Sequence, residues 1–560
     1  MRPRLAPVPP RAGASLRAGT WRRSAANRVR DTLFAAAFVV TLLGPGAMHA
    51  APAPFIVNFL PLEVSYDPLS AHTSAEAQIL SGIYEGLVGY DPFSLDPMPA
   101  TASRWDISAD GRRYRFFIRK EARFSNGDRV VAGDFRDTWL MLLDPEADAA
   151  YASLLDVVRG ARAYRIGEVL EPTDVGIRVV SDRILEVELE HRATHFLRIL
   201  AHHSFVPIHH SVRTSGDWSD PRAIPVNGPY TVAAADEAAI ELTANPVYWD
   251  RARVAYEAIR IEFDADTRAV TDRFNEGRID WVRGAADPRR VARREHLVVN
   301  LLYATTYYQL SAVHEPFKDP RVRRAMALLL PWERLRSADR WYRPATSLVP
   351  QVPSYPPAAG INATDHDEAL RLLADAGFPS GVGMPPIVIS IPTSLDREFV
   401  ARSMVDSWES ALDVDVTVEV IPYPEYYSIA DRRGYMVSAM SWVGDFADPL
   451  TFLDMWVTGS NLNTSGFSHP VYDALIAKAV GMTGSERYAT LSAAEQILLS
   501  DGIVLPISHS PAINLVNLEL IDGWYPNPLD IHPFKHIRPV LDHPVPNVAD
   551  TGGPDDEKQL

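Results

Sequence analysis

Two strand-like runs on either side of a helix constrain the fold more than any other feature of this sequence. The runs are PPIVISIP (385–392) and DVDVTVEVIP (413–422), and residues 397–412 between them have the pattern of a helix. Alternating β-branched residues bounded by prolines are typical of strands. The segment is therefore predicted to form a β-α-β unit, which places two strands and a covering helix in one layered structure.

The same alternation of short strands and helices continues along the chain from about residue 54. With 560 residues, the chain is too long for one hydrophobic core, so two or more lobes are expected. Strands are predicted at 55–60, 239–250 and 258–266, and helices at 74–91, 320–330 and 367–381, with a helix followed by a strand within 486–507. The fold class is mixed α/β, with two large halves that meet near residues 303–310.

The first 53 residues have the pattern of a secretory signal peptide. Residues 2–30 are rich in arginine and contain no acid, residues 32–43 are apolar, and small residues follow. The apolar run is too short to span a bilayer comfortably, although an uncleaved membrane anchor is the alternative. Because the sequence has 0 cysteines, disulfides, thiolate metal sites and the lipid-accepting cysteine of a lipoprotein are excluded.

The net charge of the whole chain is −16, and removing the arginine-rich leader makes the remainder more acidic. Strong negative charge disfavours nucleic acid and anionic membranes as partners. The polar, Pro- and Gly-rich residues 541–560 are predicted to be a disordered tail.

Two aspartates in SWVGDFADP (441–449) differ in their predicted roles. Asp448 precedes Pro449 and an apolar run that is predicted to be helical, so Asp448 is assigned as a helix N-cap. Asp445 follows a buried strand, YMVSAM, at the strand-to-helix turn where α/β proteins bind ligands. The alternative for Asp445 is a solvated loop carboxylate.

Taken together, a series of segments resembles the large substrate-binding proteins of bacterial ABC importers, the oligopeptide/dipeptide-binding class, or solute-binding family 5. The resemblance covers about residues 55–540 and rests on the order of YEGLVGYDP (84–92), residues 97–139, NGPY (227–230), ANPVYWD (244–250), FNEGRIDWV (274–282), residues 316–330 and SWVGDFADPLTFLDMW (441–456).

That resemblance implies a two-lobed periplasmic-binding-protein fold of class II, cluster C type, with an extra subdomain in the first lobe. The implied divisions are 1–53 signal peptide; 54–95, 225–305 and 506–540 lobe I; 96–224 inserted subdomain; 306–505 lobe II; 541–560 tail. Such a receptor is periplasmic and monomeric, closes its hinge on short peptides, and delivers them to an ABC permease in the inner membrane. No cofactor is implied, and the absence of a Gly-rich phosphate loop agrees with ATP hydrolysis on other chains.

The resemblance also implies ligand-binding residues. In peptide-binding members, the aspartate of a W-x-x-D pattern pairs with the ligand's α-amino group, and Trp442 and Asp445 match that pattern. Trp442 is expected to be a cavity wall. Tyr307 and Tyr423, with Tyr308, Tyr426 and Tyr427, are further candidates for the lining.

Two departures from the family pattern leave the ligand open. Ala439 and Ser311 stand where some members have an arginine and an asparagine. A non-peptide solute such as a nickel chelate, an oligosaccharide or an opine-like compound is therefore the main alternative.

Five histidines in residues 195–210, HFLRILAHHSFVPIHH, make a metal site one candidate for this stretch. The stretch has no H-E-x-x-H motif and no acid, and the resemblance puts it in the inserted subdomain, away from the cleft. Exposed polar residues at a helix end are therefore the prediction, and no metal is expected. A secreted enzyme is the remaining alternative, but no G-x-S-x-G or zincin motif is present, so the chain is predicted not to be an enzyme.

Overall fold

The computed structural model describes residues 53–147, 149–169, 171–337, 342–426 and 429–540. The predicted tail and the predicted signal peptide, apart from residue 53, lie outside the described residues. In the described part of the chain, no helix combines the length and apolar character needed to cross a membrane.

The strands, in chain order, are β1 Phe55–Phe59, β2 Val88–Tyr90, β3 Pro97–Pro99, β4 Ala102–Ile107, β5 Arg113–Ile118, β6 Ile177–Ser181, β7 Ile184–Glu188, β8 Tyr230–Ala235, β9 Ala239–Ala244, β10 Ala258–Phe263, β11 Trp281–Arg283, β12 Leu297–Leu310, β13 Arg343–Pro344, β14 Ile387–Pro392, β15 Val416–Ile421, β16 Val437–Val443, β17 Val504–Val516, β18 Ile521–Asp522 and β19 Arg538–Pro539.

The α-helices, in chain order, are α1 Ser74–Ile83, α2 Ala132–Leu142, α3 Ala161–Arg165, α4 Phe196–Ile199, α5 His210–Ser215, α6 Thr267–Asn275, α7 Pro320–Leu328, α8 Trp332–Arg336, α9 His366–Asp375, α10 Leu395–Ala411, α11 Tyr423–Tyr426, α12 Ile429–Gly434, α13 Pro470–Val480 and α14 Gly484–Ser500. Short 3-10 helices that matter for the site span Ala152–Leu155, His203–Phe205, Pro449–Phe452 and Asp454–Trp456.

One mixed sheet dominates the described residues. Its strand order is β15-β14-β16-β12-β17-β11-β1-β10-β9-β8, and β13 pairs with β17 beside this path. The predicted β-α-β unit is confirmed, because β14 and β15 are parallel and α10 connects them. Alternation of buried residues along β14 explains this placement, since Ile387, Ile389 and Ile391 are fully buried.

Two long antiparallel strands, β12 and β17, carry the sheet from one half of the chain to the other. Toward its C-terminus β12 pairs with β16, whereas the C-terminal end of β17 pairs with β11. The β12–β17 register shifts between Leu301 and Thr305 and again between Thr306 and Tyr307. Irregular pairing bends a strand pair, and this bend falls close to the predicted meeting point of the two halves.

A second sheet has the order β4-β5-β7-β6, with α2 packed on β6 and β7. It lies within residues 96–224, the predicted inserted subdomain. The exact lobe boundaries stay a prediction.

Two predicted helices are wrong in extent. The helix predicted over 74–91 ends at Ile83, because Tyr84 is extended and β2 then forms a hairpin with β3. The helix predicted after Asp448 is instead two 3-10 turns, Pro449–Phe452 and Asp454–Trp456. By contrast, α7 begins as predicted with Pro320 in its first turn, and Asp319 caps it.

Candidate functional site

The candidate site is built at the C-terminal end of β16, where the chain turns at Gly444. The backbone here is closely packed: a Cβ on Gly444 would lie 2.7 Å from Cδ1 of Tyr303 and 2.9 Å from Cγ2 of Thr451. Glycine lets the strand end approach these neighbours. As a result, the next residue, Asp445, is held against the 3-10 turn that contains Thr451.

Asp445 is a buried carboxyl group with fixed hydrogen bonds. The residue is 8% exposed. The Thr451 hydroxyl donates to its Oδ2 at 3.1 Å, and the backbone N–H of Asp445 donates to Oγ1 of the same threonine at 2.8 Å. Burial raises the pKa of Asp445 to about 7, because a low-dielectric environment disfavours the charged form. The structure therefore contradicts the alternative of a solvated loop carboxylate.

Histidine and tyrosine side chains from distant parts of the chain face Asp445. Nε2 of His202 lies 3.7 Å from its Oδ1, and the Tyr90 hydroxyl donates to its backbone oxygen at 3.2 Å. The ring of His202 lies 4.0 Å from that of His203 and 4.4 Å from that of Tyr151, centroid to centroid. Burial lowers the pKa of His202 well below its usual value, and the neighbouring His203 adds to the shift. His202 is thus neutral near pH 7, and its contact with Asp445 is not an ion pair.

A cavity of about 360 Å³ opens beside these residues. That volume is at the lower end of the range for ligand pockets, about 300–1,000 Å³. Its walls include Asp445, Trp442, His202, Tyr151, Arg397 and Glu85. The cavity therefore brings the end of β16 together with Glu85, Tyr151 and His202, which come much earlier in the chain.

The charged groups in the cavity wall are not all neutralised in the same way. The carboxylate of Glu85 accepts from the Lys535 ammonium at 2.8 Å and from Nε1 of Trp249 at 2.6 Å. In contrast, Nη1 of Arg397 is buried and has no hydrogen-bond partner among the described residues. A buried unpaired donor favours an acceptor supplied from the cavity.

Asp448 has the predicted capping role and a second one. Its Oδ1 accepts from the backbone N–H of Leu450 at 3.0 Å, which caps the 3-10 turn. Its two oxygens also accept from Nη1 and Nη2 of Arg487 on α14, both at 2.8 Å. Asp448 is therefore structural and does not line the cavity.

The aromatic candidates divide into one wall residue and several core residues. Trp442 is 8% exposed, lines the cavity and donates from Nε1 to the backbone oxygen of Thr451 at 3.1 Å. Tyr307, also predicted as a lining residue, is not among the residues that line this cavity; it is fully buried and packs edge-on against Trp456. Its pairing partner across the sheet, Met440, does line the cavity.

Of the other predicted tyrosines, neither Tyr308 nor Tyr426 lines the cavity. Tyr308 donates to the backbone oxygen of Arg397, and Tyr426 donates to those of Ser390 and Ala439, so both are core residues. The side chain of Tyr423 and the whole of Tyr427 lie outside what the structure describes.

The histidine stretch is placed differently from the prediction. His195, His202, His203 and His209 are buried, and only His210 is exposed. His202 and His203 line the cavity, which corrects the expectation that the stretch lies away from the cleft. The described residues contain no group of three or more histidine, aspartate and glutamate side chains placed to hold a metal ion.

His202, Tyr151 and Arg397 are site residues that sequence reasoning missed. Only the histidine run gave a signal, because paired histidines in an apolar context are unusual for a surface. Tyr151 and Arg397 have no local pattern that separates them from other residues of their type.

Comparisons with known proteins agree on the family. Residues 96–464 match the family described as "Bacterial extracellular solute-binding proteins, family 5 Middle". The periplasmic oligopeptide-binding protein OppA of Escherichia coli is 26% identical over 536 residues, covering 89% of this chain and 95% of that protein. Also from Escherichia coli, YgiS, named a probable deoxycholate-binding periplasmic protein, is 28% identical over 532 residues, covering 88% and 96%.

Among solved structures, Haemophilus influenzae OppA in complex with RPPGFSPFR superimposes with a TM-score of 0.78 at 24% identity, covering 87% of this chain and 98% of that one. At this identity the likeness concerns the fold. The two-lobed periplasmic-binding-protein fold predicted from the sequence is confirmed.

Proposed function

This chain belongs to family 5 of the bacterial extracellular solute-binding proteins, and we propose that it captures short peptides in the cavity beside Asp445 and delivers them to an ABC importer. The observation that carries the proposal is the buried carboxyl group of Asp445 in a cavity wall at the end of β16. A peptide's α-amino group is a cation that such a carboxylate would bind as a desolvated, hydrogen-bonded pair.

The opposite charge of a peptide also has a counterpart in the cavity. Nη1 of Arg397 is a buried donor without a hydrogen-bond partner in the described ranges, and Arg397 lines the same cavity as Asp445. A ligand with an ammonium group and a carboxylate would satisfy both. Relatives named for oligopeptide and dipeptide binding support peptides as that ligand.

Delivery, location and assembly complete the proposal. The protein would act outside the cytoplasm, in the periplasm, as a monomer that presents its ligand to an inner-membrane permease. No cofactor, metal or nucleic acid takes part, and the protein is a receptor without catalytic activity. The uncharged state of His202 is consistent with a solute held by hydrogen bonds and by ion pairs with Asp445 and Arg397.

Calorimetric titration with a tripeptide and its N-acetylated form tests the role of Asp445. We expect the free-amine peptide to bind, and Asp445→Asn to weaken it by tenfold or more, because truncating one partner of a buried charged pair costs about 2–5 kcal/mol. Asp106→Asn, an exposed aspartate on β4, is the matched control and should leave affinity unchanged. Equal affinity for the acetylated peptide would contradict the proposal.

A further inference from the structure

His202 stands out because its two ring nitrogens have different surroundings. Nδ1 accepts a hydrogen bond from the backbone N–H of Ser204 at 3.4 Å. A nitrogen that accepts carries no proton, so in the neutral ring the proton is on Nε2. Nε2 is the atom that faces Oδ1 of Asp445 at 3.7 Å. The local backbone therefore selects the tautomer that directs an N–H at the carboxyl group.

The other carboxyl oxygen already has a donor. Thr451 donates to Oδ2 at 3.1 Å, so the two oxygens of Asp445 are each approached by a side-chain donor from a different part of the chain. The 3.7 Å separation exceeds a direct hydrogen bond, so the interaction requires a small ring movement or one bridging water. Both side chains are 7% exposed, which limits competition from solvent.

We propose that His202 is a positioning residue for ligand capture: its Nε2–H orients the Asp445 carboxylate so that the lone pairs not used by Thr451 and His202 face the cavity. This inference rests on the proposed capture of an amino group by Asp445. It assigns His202 no direct bond to the ligand, since it acts through the carboxylate. A neutral donor suits this task better than an imidazolium, whose charge would compete with the ligand's ammonium group.

The remaining groups around the pair are consistent with a site for one cation. The groups that contact Asp445 or interact with it electrostatically are Tyr90 on β2, Tyr151 before the 3-10 helix Ala152–Leu155, His202, and Asp454 on the same segment as Asp445. His203 interacts with His202, and Arg432 on α12 interacts electrostatically with Tyr151. Burial raises the pKa of Tyr151 well above its usual value, so this phenol stays neutral. Donation by His202 favours the ionised form of Asp445 and opposes the effect of burial.

Three substitutions of His202 separate positioning from packing. His202→Leu removes the donor altogether. His202→Asn removes it from the Nε2 position, because the asparagine amide is too short to reach there. His202→Gln returns an N–H close to that position. His209→Leu and His209→Gln are matched controls, since His209 belongs to the same stretch, is buried, and contacts Asp128 through Nε2 at 3.0 Å without lining the cavity.

The first measurement needs no ligand. The carboxyl carbon of Asp445 is followed by NMR in aspartate-labelled protein and identified as the signal missing in Asp445→Asn. We expect the pKa of Asp445 to rise by about one unit in His202→Leu and His202→Asn, and to return toward the wild-type value in His202→Gln. An unchanged pKa in both donor-less variants would overturn the proposal.

The second measurement is tripeptide affinity across pH. We expect about a tenfold loss at pH 7 in the donor-less variants, with the rise in affinity displaced to higher pH, and recovery in His202→Gln. A loss that His202→Gln does not recover, or an equal loss in the His209 variants, would show a packing effect and contradict positioning. If wild-type protein does not distinguish free from acetylated peptide, the proposed function fails, while the NMR titration still decides the role of His202.

Discussion

We expect ligand binding to depend on pH if the proposed pairing of Asp445 with the ligand's amino group holds. The pKa of Asp445 is raised to about 7 by burial, so below that pH the group is a neutral acid that cannot pair with an ammonium group. A peptide's α-amino group loses its proton near pH 8. We therefore expect affinity to rise as pH increases from about 5 to 7, to be highest between about 7 and 8 and to fall above that. Calorimetry over this range measures it.

Asp445→Asn is the control for that profile, because it should remove the acidic limb and leave the alkaline one. Affinity that stays constant from about pH 5 to 7 would contradict a buried carboxyl group as the amine partner.

The raised pKa of Asp445 also affects folding stability. The folded, unliganded protein retains a proton that the unfolded chain has released, so the contribution of Asp445 to stability falls as pH rises from about 4 to 7.

The ion pair of Asp448 and Arg487 has a purely structural role. The two side chains are 10% and 5% exposed and joined by two hydrogen bonds. We expect Arg487→Ala to lower the free energy of unfolding by about 3–5 kcal/mol, because it leaves a buried carboxylate without its partner. Urea denaturation measures the change.

Arg371→Ala is the comparison for that variant. Arg371 pairs with Glu368 on α9 but is 58% exposed, and an exposed pair of this kind contributes about 0–1 kcal/mol. Equal effects of the two substitutions would argue against burial as the source of the stability.

At the scale of elements, the end of β16 depends on one glycine. A methyl group on Gly444 would meet Tyr303 and Thr451 at less than 3.0 Å. We expect Gly444→Ala to destabilise the protein by about 1–3 kcal/mol and to weaken peptide binding, because Thr451 also holds Asp445. Gly434→Ala, at the end of α12, should do neither, since a Cβ there would have no described atom within 4 Å. Thermal unfolding and calorimetry distinguish the two.

Elements with strong periodicity and terminal signals were predictable from the sequence. The β-α-β unit around α10 and the proline-initiated α7 are examples. Elements whose extent depends on distant partners were not predictable. Helix α1 ends at Ile83, and Gly228 packs so closely on this helix end that a Cβ on Gly228 would lie 2.4 Å from the carbonyl carbon of Ile83. No local pattern encodes such a contact.

The same distinction applies to the site. Asp445 and Trp442, which both line the cavity, could be predicted because one short segment holds both and its order resembles the family. Tyr307, predicted as a lining residue, is fully buried and packs on Trp456, a partner so distant in sequence that no local pattern encodes the contact. His202 was missed as a cavity residue because its partner Asp445 is equally remote in sequence.

At the scale of the whole molecule, the family and the fold confirm a two-lobed receptor, and we expect contacts between remote segments of the chain to hold its closed form. The segment 152–165, which packs beside the four-stranded sheet, meets the loop 458–461 that follows the 3-10 turns. Ser153 and Ser460 hydroxyls are 3.2 Å apart, and Arg162 donates to the backbone oxygen of Thr458 at 3.4 Å. These contacts join residues 307 and 296 positions apart in the sequence.

Arg165 makes two hydrogen bonds to the same loop. It is paired with Asp156 at 2.5 Å on its own side, and its Nη1 donates across to the backbone oxygen of Gly459 at 2.9 Å and to Oδ1 of Asn461 at 2.6 Å. We expect Arg165→Ala to speed peptide dissociation by about tenfold, since hydrogen bonds to charged groups contribute about 1.5–3 kcal/mol, and to increase the radius of gyration of the unliganded protein.

Asn461→Ala should act in the same direction with a smaller effect, because it removes one acceptor from the opposite side. Arg159→Ala, which breaks a pair with Glu188 at 3.1 Å within the same sheet region, is the control and should change neither quantity. Stopped-flow dissociation and small-angle X-ray scattering measure the two effects, and an unchanged dissociation rate in Arg165→Ala would mean that these contacts join parts of the protein that do not separate during ligand exchange.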